Sequence, residues 1–412
     1  MSDSVEVDLA IVGGGLVGAS LALALRPTGL RVALIEGVTP DAAAQPSFDD
    51  RTTALGNGTR RIFESLGVWS AMATEAAPIR EIHVSDAGRA GFARLDSREH
   101  DIDAFGYVIT NRSMGRALTA ALDAQVSLER RMPARCTAVA FDADGVSLHT
   151  EPGEQPLRAR LVVAADGANS LVRSAARLGA NVEDYQQVAI VAHVASSRPA
   201  DGTAYERFTP TGPFAVLPLH DGHYGIVWTL SPSAAEEVLA LSDADYLARL
   251  QSAFGWRIGR LLRVGRRQGY PLRLTRSAAI TADRCVLIGN AAQALHPVAG
   301  QGFNLGLRDA VTLAEILMGA LADARRGGCG VDVGSATLLA EFARRRGADR
   351  EGIIDFTDRL VKLFGDQRPG VPLMRDLGLL LFDLSPTAKQ AMSRLSWGLA
   401  GRTPRLARGL SL

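Results

Sequence analysis

A glycine-rich turn wedged between an apolar strand and a small-residue helix constrains this chain more than any other stretch. Val7 to Val12 is apolar apart from Asp8, Gly13-Gly14-Gly15-Leu16-Val17-Gly18 follows without a gap, and Ala19 to Leu25 continues as a helix. A second apolar strand, Arg31 to Ile35, ends at Glu36. A GxGxxG stretch alone is weak. Between strand and helix, with an acid about 20 residues on, it predicts the opening βαβ unit of a dinucleotide-binding fold. In such a unit Gly13 makes the turn, Gly15 lets a pyrophosphate approach the backbone, Gly18 lets helix meet strand, and Glu36 reaches a ribose hydroxyl.

A second glycine-rich loop lies far downstream, in the stretch VLIGNAAQALHPVAGQGFNLGLRD from Val286 to Asp309. A short strand stops at Gly289, Pro297 fixes φ where the loop rises, and Gly300, Gly302 and Gly306 bracket another close approach. Phe303, Leu307, Ala310, Val311, Ala314 and Leu317 then recur at helical spacing. A glycine loop feeding a helix start aims free N–H groups and the positive dipole end at one point, which suits an anionic, planar group. A third element is the strand Leu161 to Ala165, which runs into Asp166-Gly167-Ala168-Asn169-Ser170. In a parallel sheet Asp166 stands level with the first glycine loop, where open α/β sheets bind ligands. Its carboxylate accepts from ligand hydroxyls there or caps the next helix.

Two arginines have the reach to join such a site. Phe48 to Leu55 reads as the opening of a helix extending to Leu66, with Arg51 either a contact for a cofactor or its substrate face, or a partner of Asp49 or Asp50. Asn111 to Leu122 reads as a helix capped by Asn111. Arg112 in its first turn touches a phosphate or ribityl group, or is a surface arginine.

With 412 residues, 47% apolar, the chain is long enough for two to three lobes. Its net charge of +1 points to no nucleic-acid partner. The three cysteines form neither a CxxC nor a metal-ligand set, which favours a reducing, cytosolic setting and no metal site. The acidic, polar residues 1–8 are not expected to act as a secretory signal, and without an uninterrupted apolar run of about 18 residues no membrane-spanning helix is expected.

The strands from Gln186 to about Arg273 lack the βαβ rhythm and predict an antiparallel sheet inserted into the dinucleotide fold. The expected organisation is a discontinuous cofactor domain (1–80, 100–180, 274–330), a substrate-binding sheet domain (81–99, 181–273) and a C-terminal helical region (331–412). Ser335 to Phe364 reads as a long helix whose Arg344, Arg345, Arg346 and Arg350, interleaved with acids, form a solvated face. The tail from Leu384 to Leu412 carries five basic residues and no acid, interleaved with Met392, Leu395, Trp397, Leu399, Leu406 and Leu410. It is either a membrane-surface element or a terminal helix docked on the protein.

Together the GxGxxG with Glu36, the Asp-Gly segment at Asp166 and the loop Gly289 to Gly306 resemble the FAD-dependent aromatic hydroxylases of the para-hydroxybenzoate hydroxylase fold, over roughly residues 5–365. Within that family the likeness extends to the branch acting on 2-polyprenyl-6-methoxyphenol in ubiquinone biosynthesis. It rests on GNAAQALHPVAGQGFNLGLRD, HVSDAGRAGF (His83 to Phe92), YERFTPTGPFAVLP (Tyr205 to Pro218) and LQSAFGWRIG (Leu250 to Gly259). Most members resemble Gly-Asp-Ala-Ala-His where this chain has Gly289-Asn290-Ala291-Ala292-Gln293. Asn290 keeps an acceptor oxygen but loses the charge, a departure that favours this branch.

The resemblance implies an α/β fold with a Rossmann-like FAD-binding domain, an inserted antiparallel substrate sheet and C-terminal helices. It implies that Gly13, Gly15 and Gly18 hold the pyrophosphate, Glu36 the adenosine ribose and Arg112 the cofactor's middle, while Asp166 and Asn290 frame the ribityl chain. Pro297, Gly300, Gly302, Phe303 and Asn304 line the isoalloxazine, with Pro297, Gly302, Phe303 and Arg51 nearest the chemistry. NADH or NADPH visits transiently, having no Rossmann domain of its own. O₂ is the co-substrate, and a flavin C4a-hydroperoxide hydroxylates the ring para to the phenol oxygen. The partners implied are a polyprenylated phenol, other ubiquinone-biosynthesis proteins and the cytoplasmic face of the inner membrane. Rival readings are a sister enzyme acting at another ring position, a hydroxylase of small aromatics, and a non-catalytic flavin-binding scaffold.

Overall fold

The computed structural model describes residues 6–40, 42, 45, 47–153, 155–366, 368–385 and 403–411. Leu9 to Val12 are apolar and buried on both faces, as suits a strand covered twice, and Val7–Val12 lies inside a parallel sheet. It pairs in parallel with Leu157–Ala164 on one side and Val32–Ile35 on the other. Leu128–Arg131 lies beyond Val32–Ile35, and Cys285–Leu287 beyond Leu157–Ala164, again parallel. The helices Leu16–Ala24 and Gln301–Gly327 pack on this sheet, and their Leu21, Ala22, Val311 and Ala314 share one core with Leu9, Ile11 and Val163. An antiparallel hairpin, Arg135–Phe141 with Val146–Glu151, extends the sheet.

A nine-stranded second sheet takes its strands from residues 81–96 and 180–277, plus Gln293–Ala294. Pairing is antiparallel throughout except where Thr203–Thr209 meets Glu81–Asp86 in parallel, because the latter arrives from a distant segment rather than a hairpin. Alternation gives this sheet two faces. Ile190, Phe214, Val216, Ile226 and Trp228 pack against the helices Pro232–Leu239 and Asp243–Phe254. The other face looks back toward the parallel sheet. A small third sheet pairs Thr52–Gly56 and Ala77–Ile79 with Gly106–Thr110.

Several expectations are corrected. Phe48 to Leu66 is not one helix: Thr52–Gly56 is a strand, and the helix is Asn57–Ser65. The β-branched Thr52 and Thr53 suit the edge they pair with. The helix Asn111–Asp123 is capped by the Thr110 hydroxyl, which accepts from the Ser113 N–H. Asn111 instead turns inward, accepting from the Thr53 hydroxyl at 2.7 Å. In the long helix Ala336–Gly365, Arg344 is solvated, but Arg346 and Arg350 are 1% and 5% exposed. Of the tail, Leu406 and Ala407 are buried against Asn57–Ser65, so this end docks on the protein. Met392, Leu395, Trp397, Leu399 and three of the five basic residues (Lys389, Arg394, Arg402) lie outside the described residues. Among the described residues no helix is long and apolar enough to cross a membrane.

Candidate functional site

Three strands of the parallel sheet end side by side. Val12 pairs with Ala164 and Ala164 with Leu287, so the chain leaves one edge at three neighbouring points, into Gly13, Asp166 and Gly289. Gly13 has φ +104°, and a Cβ there would lie 2.4 Å from the Ala165 carbonyl oxygen. A Cβ on Gly18 would lie 1.9 Å from the Gly13 carbonyl oxygen. Both obstacles are backbone and cannot step aside, so these two positions admit only glycine. The turn is thereby drawn tight enough to start the Leu16–Ala24 helix at Gly15, whose N-cap has no side-chain bond. The Gln301–Gly327 helix likewise starts at Gly300 without a side-chain cap. Two uncapped helix starts therefore serve one cavity, an arrangement suited to negative charge.

That cavity has a volume of about 1290 Å³. Gly13, Gly15, Glu36, Arg51, Asp166, Asn290, Pro297, Gly300, Gly302 and Phe303 all line it. Glu36 is oriented by the loop itself: Oε2 accepts from the Gly14 N–H at 2.7 Å and Oε1 from the Val38 N–H at 2.9 Å. Each oxygen keeps a lone pair for a further donor. Arg51 pairs with Asp49 at 2.6 Å, and its guanidinium sits 4.8 Å from the centre of the Tyr270 ring. Asp166 holds the Val172 N–H on Oδ2, while its Oδ1 is buried without a partner. Burial pushes this carboxyl above its ordinary range, against opposing hydrogen bonds from Ser170 and Val172.

Three expected residues lie elsewhere. Gly18 sits behind the turn. Arg112 is absent from the cavity wall, its exposed guanidinium committed to Asp50 at 2.7 Å. Asn304 is buried beneath the wall, accepting from the Gly56 N–H and the Thr59 hydroxyl and donating to the Ala54 and Gly300 carbonyls. It clamps the loop that carries Gly300 rather than facing the cavity.

Sequence reasoning missed His296, Tyr270 and Glu206, which also line the cavity. His296 is 1% exposed, and burial depresses its pKa to about 4. Its Nδ1 accepts from the Val298 N–H at 3.1 Å, so the neutral ring carries its proton on Nε2, a buried donor without a partner. Its place directly before Pro297 was the available signal. Glu206 stood out only as an acid on the apolar face of a strand, and Tyr270 gave no signal.

Behind the loop Gly289–Ala291 lies a buried ionic cluster. Asp309 accepts from the Gly289 N–H and Gln293 Nε2 on one oxygen and from Arg346 Nε on the other. Arg346 also pairs with Asp349 at 2.6 Å, and Arg308 with Asp349 at 3.2 Å. Arg350 donates to Gln293 Oε1 and to the Ser277 and Ala292 carbonyls. The two long helices thus fix the backbone on either side of Asn290.

Residues 6–329 match the family model described as "FAD binding domain". The chain is 38% identical to "Ubiquinone hydroxylase UbiL" of Rhodospirillum rubrum, over 98% of its own length and 93% of that protein. It is 31% identical to the "3-demethoxyubiquinol 3-hydroxylase" of Escherichia coli, covering 95% and 98% of the two chains. Its fold is similar to that of p-nitrophenol 4-monooxygenase PnpA from Pseudomonas putida, with TM-score 0.76, 21% identity and 96% and 98% coverage.

Proposed function

Since the chain belongs to the FAD-binding-domain family of FAD-dependent monooxygenases, we propose that it hydroxylates 2-polyprenyl-6-methoxyphenol, para to the phenol oxygen, in ubiquinone biosynthesis. The observation that carries the reading is the single cavity shared by both glycine loops, Asp166 and the inner face of the second sheet. At about 1290 Å³ it exceeds the ~300–1,000 Å³ of a typical small-molecule site, leaving room for a dinucleotide and an aromatic ring together.

The residues present fit FAD. Gly13 and Gly15 bring the uncapped helix start to the pyrophosphate, and Glu36 accepts from the adenosine ribose. Asp166, whose Oδ1 is unpartnered, and Asn290 would receive the ribityl hydroxyls. Pro297, Gly300, Gly302 and Phe303, which line the cavity, would hold the isoalloxazine, and the start of Gln301–Gly327 would stabilise negative charge there. Bound FAD, reduced by NADH or NADPH, supplies an electrophilic oxygen derived from O₂. The protein orients the phenol and excludes water, a task suited to the apolar wall of Ile82, Ala204, Ala215, Leu217 and Val227. The His296 Nε2–H offers a donor to whichever oxygen binds beside it. Arg51, held against Asp49 and Tyr270, lines the same cavity and could contact the cofactor or the substrate.

A membrane-surface position is part of the proposal. Leu373, Met374, Leu377 and Leu381 share one face of the helix Val371–Asp383 and are 53–73% exposed. The basic, acid-free stretch that follows complements an anionic surface.

The relative from Escherichia coli is named for a different ring position, which favours a second reading: the same chemistry at a neighbouring carbon. Mass spectrometry of the quinone precursor that accumulates in cells lacking the protein separates the two. Accumulation of 2-polyprenyl-6-methoxyphenol supports the first reading. A precursor already hydroxylated para to the phenol oxygen replaces it with the second, and normal quinone levels refute both.

A further inference from the structure

The cavity's far wall is the inner face of the second sheet, and its strands present small or apolar side chains there. Ile82, Ala204, Pro213, Ala215, Leu217 and Val227 make up most of it. Glu206 stands among them. It lies on Thr203–Thr209, opposite Val84 of Glu81–Asp86 and Ala215 of Gly212–Pro218. Neither neighbour offers a donor side chain. Glu206 is half-buried and lines the cavity, and its Oε1 is buried with no hydrogen-bond partner. Of the elements packed against this strand, Gly212–Pro218 has no ionisable residue. Glu81–Asp86 contributes Glu81, His83 and Asp86, which face Arg94, Arg257 and Arg375. The helix Ala336–Gly365 contributes Asp355, Asp358, Arg359 and Lys362 nearby, with Asp358 held by Tyr185 and Lys362. Neither these charges nor Arg207 on its own strand shifts Glu206. Burial alone raises its pKa to about 8.

A carboxyl kept in an apolar wall without a counter-charge is unfavourable for the fold. A ligand that brings its own donor removes that cost. We propose that Glu206 accepts the phenol O–H of the substrate and takes its proton as the ring is hydroxylated. This rests on the aromatic-hydroxylase reading above. The phenol O–H bond breaks and a Glu206 O–H bond forms, so the negative charge passes from the carboxylate to the phenolate. The phenolate lone pair raises electron density at the para carbon, which bonds to the oxygen derived from O₂. The other oxygen leaves as water, with its electrons supplied by NADH or NADPH. The ring then loses its C–H proton, and Glu206 returns the phenolic proton.

The environment of Glu206 matches this task. Against a phenol of pKa about 10, a carboxyl near 4.3 accepts the proton with an equilibrium constant of order 10⁻⁶. A carboxyl raised to about 8 brings that constant to order 10⁻².

The test uses the full-length, FAD-loaded protein and a 6-methoxyphenol bearing a short prenyl chain at C2. Wild-type protein that forms no hydroxylated product refutes the hydroxylase reading and this proposal with it. If product forms, Glu206→Gln is expected to lower kcat by about 10²–10⁴ with FAD content unchanged, diverting reducing equivalents to hydrogen peroxide. Hydroxylation by Glu206→Gln within threefold of wild type overturns the proposal while leaving the reading intact. A second measurement requires no variant. The bound pair shares one proton, so phenol binding to the oxidised enzyme, followed by the flavin absorbance change, should weaken above about pH 10 and rise through a limb near pH 8. Binding that is flat from pH 6 to 9 overturns the proposal even if both Glu206→Gln and Glu206→Asp fail to fold.

Discussion

Replacing Asp309 by asparagine removes the charge at the centre of the buried cluster while keeping its shape. The wild-type carboxylate accepts three hydrogen bonds, from Arg346 Nε at 2.7 Å, Gln293 Nε2 at 2.8 Å and the Gly289 N–H at 3.2 Å. An asparagine turns an NH₂ toward one of those donors. It also leaves Arg346, 1% exposed, with Asp349 as its remaining carboxylate. Losing one member of a buried ion pair costs about 3–5 kcal/mol, against ~5–15 for a whole fold. At ~2.1 cal/mol/K per residue, a 412-residue unit unfolds with an entropy near 870 cal/mol/K, so the melting point should fall by about 3–6 °C. The Gly289 N–H anchors the loop that carries Asn290. Losing a charged hydrogen bond worth ~1.5–3 kcal/mol there should weaken FAD binding by about 10–100-fold. Calorimetry and titration of stripped protein with FAD measure both effects. Arg344→Gln is the control: its pair with Glu341 is exposed, and such pairs contribute ~0–1 kcal/mol. An Asp309→Asn variant that melts within 1 °C of wild type and binds FAD equally well would falsify the assignment of the cluster as the loop's anchor.

Three further outcomes are expected. Gly18→Ala places a methyl group 1.9 Å from the Gly13 carbonyl, so the turn must open; flavin fluorescence should show no bound FAD, and a variant purified with full cofactor contradicts the packing. Glu206 is raised from 4.5 to about 8 in the folded chain, so its contribution to stability is present below pH 4.5 and is lost as pH rises through 8. Glu206→Gln should therefore match wild type in denaturant at pH 4–5 and exceed it by a few kcal/mol at pH 8, at ~1.4 kcal/mol for each pH unit between those two values before solvent screening in the cavity; equal stability at pH 8 rejects the buried, uncompensated carboxyl. Substituting Leu377 and Leu381 by glutamine should lower co-sedimentation with anionic vesicles while leaving the melting point within about 1 °C, since both side chains are more than half exposed; unchanged sedimentation removes the membrane-surface reading.

Local signals made the cofactor side legible. The turn at Gly13 to Gly18, the acid at Glu36 and the glycine loop before Phe303 are all contiguous patterns, and each lines or builds the cavity where strand ends meet. The opening βαβ unit was also readable from the glycine turn and Glu36, whereas the order of the remaining strands was not. What escaped was decided by partners distant in sequence. Arg346 and Arg350 sit among acids along the chain and so read as solvated, yet Asp309 and Gln293, from two other elements, draw them inside. Thr52 and Thr53 became strand because Ile109 and Thr110 lie opposite them. Arg112 has the reach for a ligand, but Asp50 lies within bonding distance. Glu206 stands next to Arg207 in a strand of mixed character, and only the sheet's facing shows that it looks into the cavity.

The central claim is that three loops far apart in the chain surround one FAD, with the apolar wall and Glu206 across from its ring. A crystal structure of the FAD-reconstituted protein tests this directly. The expected result is a single extended FAD running from Gly15 and Glu36, past Asp166 and Asn290, to Pro297 and Phe303. A flavin bound away from any one of the three loops would contradict the account.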